Sequence, residues 1–441
     1  MRKLESEKRL FIPRNSLFLL LIFSFLFRFI KLGEIPQGVS LNEAKLGIYL
    51  SDISMGLSFD PLFLRLPFSI LGVLSIYFIF RFFLTISRDF NLAFLISFIV
   101  SVSPWHIHES RIFSWGIVIV NLILLSLIFS AKFLIGHAKG LTILAGALSL
   151  ILLTASVFKI PDGVETNVNY QRNLISKLTT YPFVKFFSNK YIESARAREK
   201  IFFEHLDFNN YFFSGFPRPR WGLEEIPKLY VVYLPLFILG LIKLATNRLL
   251  VTFSGTLIFL SILTFLGIRD SSLTFPLLIP ISLLIASGFW FLKDTKKGWL
   301  MFLAVLVLVF EFIVFINEYA NGRLESQFSP RRPVYEKVVA DAINYSKDFD
   351  AVFVSQRLGD PEVFFKFYSR GGILGKFKFG EFDFRKGKTP NAVYIDILPY
   401  EASPTEPLFK NKGIWPTGVG VLGNFRDEKL KAEIIIFKII S

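Results

Sequence analysis

The 441-residue chain contains no cysteine. That removes disulfide frameworks, thiolate metal sites and thiol nucleophiles from consideration. Histidine occurs only four times and methionine three times. Glycine-rich phosphate loops are missing, as are Ser/His/Asp constellations and the His-Glu-x-x-His pattern, so nothing supports a nucleotide-sugar donor held in a dinucleotide-type fold. Charge is also sparse, at 19% of residues, and tilted, with 50 Lys and Arg against 35 Asp and Glu. In a water-soluble chain a net +15 would point to nucleic acid. No nucleic-acid-binding motif accompanies it, so nucleic acid is not an expected partner.

What is present in quantity is grease. Hydrophobic residues make up 52% of the chain and 53 of them are Phe. They fall in blocks long enough to cross a hydrocarbon layer, which takes about 20 helical residues. The blocks predict nine spans, at 16–31, 66–86, 91–107, 116–134, 141–158, 229–246, 249–267, 272–292 and 299–317. Pro104 and Trp105, near the end of the third, weaken that span most. The basic segment from Met1 to Asn15 precedes the first span without a small-residue cleavage site after it, so it reads as an uncleaved first helix.

Every second connection is short and basic: Arg88; Lys132 with Lys139; Lys243 with Arg248; and Lys293, Lys296 and Lys297. The positive-inside rule makes these cytoplasmic, in a multi-pass cell-membrane protein with its N-terminus inside and its C-terminus outside. The expected fold class is therefore an all-α polytopic membrane domain over 1–317, with outer loops at 32–65, 104–115 and 159–228, followed by an extracytoplasmic α/β domain over 318–441. Lys190–Phe208 reads as an amphipathic interfacial helix. In the tail, Val334–Tyr345 and Asp360–Tyr368 read as helices. Ala351–Val354, Lys376–Phe382, Ala392–Ile397 and Glu433–Ile440 read as strands.

The first outer loop holds the sharpest chemical signal. From Arg28 it runs RFIKLGEIPQGVSLNEAKLGIYL, with Glu43 shortly after a Pro36–Gly38 turn. A carboxylate at a membrane surface can serve as a general base toward a hydroxyl or amine; a solvated loop glutamate is the plainer alternative. Glu311, inside the ninth span, is costly there and reads as functional or as a hydrogen-bonded structural group.

The order Arg28, Leu32-Gly33, Pro36-Gln37-Gly38, Asn42-Glu43-Ala44 resembles the first-loop signature of the C-type membrane glycosyltransferases, the superfamily that includes protein O-mannosyltransferases and the lipid A aminoarabinose transferase. Arg65-Leu66-Pro67 is similar to a second motif of that family, and Ser103-Pro104-Trp105-His106 with Ser110-Arg111 to a third. Arg269 with Pro276 and Pro280, and the stretch from Phe202 through Arg220 to Gly240, are similar to later ones. The resemblance spans roughly residues 16–290 and, more loosely, the tail.

It implies transfer of a sugar from a polyprenyl-phosphate carrier to a glycan, lipid or protein acceptor, with membrane lipids as the surrounding partner. Glu43, or Asn42 at the position usually held by Asp, would stand where the base belongs. Arg269 would hold phosphate, supported by Arg220, Arg111, Arg65 and His106; arginine suits that task because its planar fork meets phosphate oxygens two at a time. A divalent metal is the one cofactor the resemblance leaves open. His106 and His108 are two residues apart and diverge on a helix, so packing at the interface is the expected role of His106.

The sequence departs from the family in two places. Asn42 cannot take a proton, and the Asp…Lys-Pro-Pro stretch expected between Tyr49 and Arg65 is not there. A catalytically inactive relative serving as a lipid-binding scaffold or partner subunit is therefore the alternative expectation. A transporter is a more distant one, since no internal repeat is found.

Overall fold

The computed structural model describes residues 15–54, 59–134, 190–213, 227–243, 262, 274–294, 298–321, 334–370, 375–380, 391–399, 419–427 and 432–439. The predicted spans at 141–158 and 249–267 lie outside these residues, Ile262 apart. So do Arg220 and Arg269.

The first half is helical: α1 (Ser16–Phe29), α2 (Leu41–Ser54), α3 (Pro61–Ser87), α4 (Phe90–Val102), α5 (Pro104–Glu109) and α6 (Trp115–Leu134). Then follow α7 (Lys190–Leu206), α8 (Asn209–Phe212), α9 (Tyr233–Ile242), α10 (Leu278–Asp294) and α11 (Gly298–Ala320). Three helical stretches are long and apolar enough to cross a membrane: Pro61–Ser87, Phe275–Lys293 and Gly298–Ala320. Ser16–Phe29, Phe90–Val102, Trp115–Leu125 and Tyr233–Ile242 are apolar but shorter. In α11, Trp299, Phe302, Phe310 and Ile313 are exposed and only Leu308, Phe315 and Tyr319 are buried. A face that apolar is at odds with water and suits lipid.

Local chemistry sets the boundaries. Asp60 accepts from the Leu62 amide at 2.8 Å and Pro61 takes the first helical position of α3, where a missing N–H costs nothing. Arg88, in the left-handed region, closes that helix, and Asp89 opens α4 by accepting from the Asn91 and Leu92 amides. The third predicted span is corrected here. It stops at Val102, because Pro104 drives Ser103 to an extended conformation and then begins the separate helix α5.

Helices α9 and α10 meet most closely, and glycine is the reason. A Cβ on Gly240 would stand 1.9 Å from the Leu284 carbonyl oxygen, and one on Gly288 would stand 1.9 Å from that of Leu236. Each helix thus presses its backbone into the gap left by the other's missing side chain, as small residues permit in membrane helix pairs.

The helix directions sort the connections. Arg88 ends α3, Lys243 follows α9 and Lys293 lies in the last turn of α10. At the opposite end lie α2, α5 and Phe275, whose ring contacts both Trp105 and His106.

The tail forms α12 (Val334–Tyr345), β1 (Ala351–Ser355), α13 (Pro361–Tyr368), β2 (Phe377–Gly380), β3 (Ala392–Pro399), β4 (Val419–Asp427) and β5 (Ala432–Ile439). Its sheet runs β2-β1-β3-β5-β4, parallel across the first three strands and antiparallel across the last pairs. Strand β4 was not anticipated; its Gly420, Gly423 and Asn424 carry little strand propensity. Val352, Val354, Val393, Ile395, Ile434 and Ile436 share a core with Val338, Val339, Phe364 and Phe367 of the two helices. Val39, Ala44 and Leu64 of the first-loop region are buried in that same core, and the Phe59 and Phe367 rings meet at 5.7 Å. The loop predicted at 32–65 is therefore largely a helix, with the tail packed onto it.

Gly240→Ala and Gly288→Ala are each expected to destabilise the protein by about 1–3 kcal/mol through overpacking. Gly298→Ala, with nothing within 4 Å of the new methyl, is expected to be silent. Thermal unfolding followed by tryptophan fluorescence in detergent checks all three.

Candidate functional site

Alpha-helix α2 begins with a signature visible in the sequence, Ser40-Leu41-Asn42-Glu43. The Ser40 hydroxyl accepts from the Glu43 amide at 3.2 Å, and Glu43 Oε2 accepts from the Ser40 amide at 2.7 Å. This is a reciprocal capping box. The other carboxylate oxygen, Oε1, accepts from Arg65 Nε at 3.1 Å and from the Phe113 amide at 3.3 Å. Both Glu43 and Arg65 have no exposed surface. Glu43 is thus neither a solvated loop residue nor, in this conformation, a group that an acceptor can reach. It is a buried anion joining α2, α3 and the segment after α5. Asn42, one residue earlier, points the other way and is exposed.

The rest of the Arg65 guanidinium is spent on the turn between α1 and α2. It donates to the carbonyl oxygens of Leu32 (3.1 Å), Gly33 (3.4 Å), Pro36 (2.9 Å) and Gly38. Gly38 has φ of 70°, a conformation that glycine adopts without strain. Arg111 does the same for the neighbouring stretch, donating to Phe27 (2.6 Å), Ile30 (2.8 Å), Lys31 (3.2 Å) and Ile35 (2.9 Å). The orphan carbonyls at the end of α1 are satisfied by a side chain 80 residues away in sequence.

Arg28 and His106 form the third part. Arg28 donates to the Ser24 hydroxyl and carbonyl and to the Ser101 carbonyl, and its Nη2 lies 2.6 Å from His106 Nδ1. Arginine has only donors, so Nδ1 accepts and the imidazole is neutral with its proton on Nε2. Nε2 then donates to the Ser75 hydroxyl at 2.8 Å, which passes its own proton to the Gly72 carbonyl. Both ring nitrogens of His106 are committed. Room for this comes from Gly72, where a Cβ would lie 2.3 Å from that of Ser110.

The structure therefore brings together Glu43, Arg65, Arg111 and His106, as the sequence resemblance implied, but each is satisfied by protein. Their roles here are structural, and the expectation that Arg65, Arg111 and His106 present free donors to a phosphate does not match this conformation. Among the described residues no cluster of three metal-ligating side chains occurs. His108 turns toward α11, with Nδ1 3.3 Å from the Tyr319 hydroxyl. Glu311 finds the partner that the sequence did not name: it accepts from the Val232 amide at 3.3 Å, satisfying an N–H at the start of α9 where a negative charge is favoured.

Sequence reading missed a neighbouring group, Lys228. Its amine lies 4.5 Å from the Trp105 ring and 4.7 Å from the Tyr211 ring. Burial, opposed by Glu109 and Asp207, pushes its pKa down to about 7. Only its position between an aromatic motif and a span could have flagged it.

Family models, curated proteins and solved structures offer no match to this chain.

Glu43→Gln and Arg65→Met each leave a buried charge without its partner and are expected to cost about 3–5 kcal/mol. In the double variant neither charge remains, so its loss is expected to be well below the sum. Unfolding midpoints for the four proteins of this cycle provide the check; additive losses would show the pair to be uncoupled.

Proposed function

We propose that the protein is a multi-pass cell-membrane glycosyltransferase that moves a sugar from a polyprenyl-phosphate carrier to an acceptor on the non-cytoplasmic face. One observation supports this reading above others. The residues on which the family resemblance rests come from three separated stretches, around 28–43, 65 and 103–111, and they meet in one continuous hydrogen-bonded network. Unrelated motifs scattered by chance over 80 residues would have no reason to converge.

Sidedness follows from the basic turns. Arg88, Lys243 and Lys293 gather at one end of the helices, the end expected to face the cytoplasm. The first loop, α5 and the tail would then share the opposite compartment, where a lipid-linked sugar is presented. Nine spans, two of them at 141–158 and 249–267, give the chain the odd number that this arrangement needs. Arg269 and Arg220 remain the proposed phosphate ligands, because Arg65 and Arg111 are committed to backbone carbonyls.

A second reading is favoured by the locked Glu43 and the neutral Asn42: a lipid-binding scaffold or partner subunit that has lost turnover. Purified protein in lipid nanodiscs, given a radiolabelled polyprenyl-phosphate sugar, is expected to release polyprenyl phosphate and to leave a nucleotide sugar untouched. Saturable binding without turnover, with turnover appearing in Asn42→Asp, would establish the scaffold instead. Consumption of the nucleotide sugar would sink both readings.

A further inference from the structure

With Glu43 locked into the capping box and the Arg65 pair, and Asn42 unable to bind a proton, the first loop supplies no accessible base. A different group meets the requirement on structural grounds. Lys228 precedes α9, and its carbonyl oxygen accepts from the Trp105 amide at 3.1 Å and from the Ser103 hydroxyl at 3.2 Å. The next amide, that of Leu229, donates to the Tyr211 carbonyl at 2.8 Å. These three bonds fix the lysine backbone between α5 and α8, so the Trp105 and Tyr211 rings and the amine form one rigid cluster. The rings in turn contact one another at 5.9 Å between centroids. The side chain is half-buried and keeps a path to the surface.

Charged and titratable groups act on the amine from each neighbouring element: Glu109 from α5, Asp207 from the turn between α7 and α8, and the Tyr211 ring from α8. Two pressures oppose each other. Loss of water favours the neutral amine. The π faces of Trp105 and Tyr211, with the two carboxylates, favour the ammonium. The balance sits near neutrality, at about 7, where an amine can both take up and release a proton.

We propose that Lys228 is the proton-accepting side chain of the transfer reaction, receiving the proton of the acceptor's hydroxyl or amino group. The proposal rests on the sugar-transfer reading above. In the step, the acceptor's O–H or N–H proton passes to Lys228 Nζ while the freed electron pair forms the bond to the anomeric carbon. The anomeric carbon–oxygen bond to phosphate breaks, and its pair stays on the departing polyprenyl phosphate. The resulting ammonium is held by the two rings, Glu109 and Asp207 until it returns its proton to water. No oxidant or further reactant is needed.

The amine can be tested apart from activity. The full-length protein in nanodiscs is acetylated with trace acetic anhydride between pH 5.5 and 10.5, and each lysine is followed by peptide mass spectrometry. Lys228 labelling is expected to rise with a midpoint near 7; a midpoint near 10, or no labelling, overturns the proposal. Transfer by Lys228→Met at pH 7 is expected to fall by about 10²-fold or more in kcat, with KM for the lipid donor little changed. Lys228→Arg should displace the acidic limb of the pH–rate profile upward. A fully active Lys228→Met with the wild-type profile overturns the role. If the unmodified protein transfers no sugar, the transferase reading falls and the proton-acceptor role with it, while the labelling midpoint still judges the amine.

Discussion

A guanidinium carries five N–H donors and cannot shed its charge, so an arginine taken out of water must be met by acceptors on every side. Three arginines, Arg28, Arg65 and Arg111, are buried at one end of this helical bundle. The chain meets their demand mainly with its own backbone. Arg65 and Arg111 together take up carbonyl oxygens along the stretch from Phe27 to Gly38, four each. A segment that would otherwise be an irregular connection, with carbonyls unsatisfied where water is scarce, becomes a fixed structure. Glu43 supplies the one buried side-chain anion paired to it by a salt bridge among the described residues. Remove that carboxylate and the connection loses both its charge balance and the start of α2.

The arrangement separates two tasks that a reading of motifs tends to merge. Residues characteristic of a site can be there because they bind a ligand or because they hold the frame on which the ligand sits. Here His106 is fixed by Arg28 on one nitrogen and Ser75 on the other, and Glu43 has accepted bonds on both oxygens. Such groups give a site its rigidity. Chemistry is left to side chains with open surface, of which Asn42 and Lys228 are the nearest.

Legibility in the sequence followed the strength of each physical signal. Long apolar runs identified α1, α3, α6, α9, α10 and α11 to within a few residues, because burial in lipid or in protein demands them. The alternating tail segments identified four of the five strands and both tail helices. Helix α2 was read as loop: Leu41 to Ser54 mixes Asn42, Glu43, Lys45, Ser51 and Asp52-adjacent turns of charge with single apolar residues, and its apolar face is satisfied only by a tail some 300 positions later. The Ser40-x-x-Glu43 box was the available clue, overlooked because the carboxylate drew a chemical reading. Arg65 and Arg111 were read as ligands for phosphate since nothing local reveals that distant carbonyls already occupy them. Glu311 and the start of α9 illustrate the same limit, a pairing across 79 residues.

The common core of Val39, Ala44 and Leu64 with the tail also bears on biogenesis. These residues leave the ribosome early, while Val334, Phe364, Val393 and Ile434, against which they pack, emerge near the close of translation. Contacts that distant in sequence form late, so α2 must wait, partly uncovered, until synthesis is almost over. Truncated or stalled products would display that greasy helix, and quality control could recognise an unfinished chain from its very first loop.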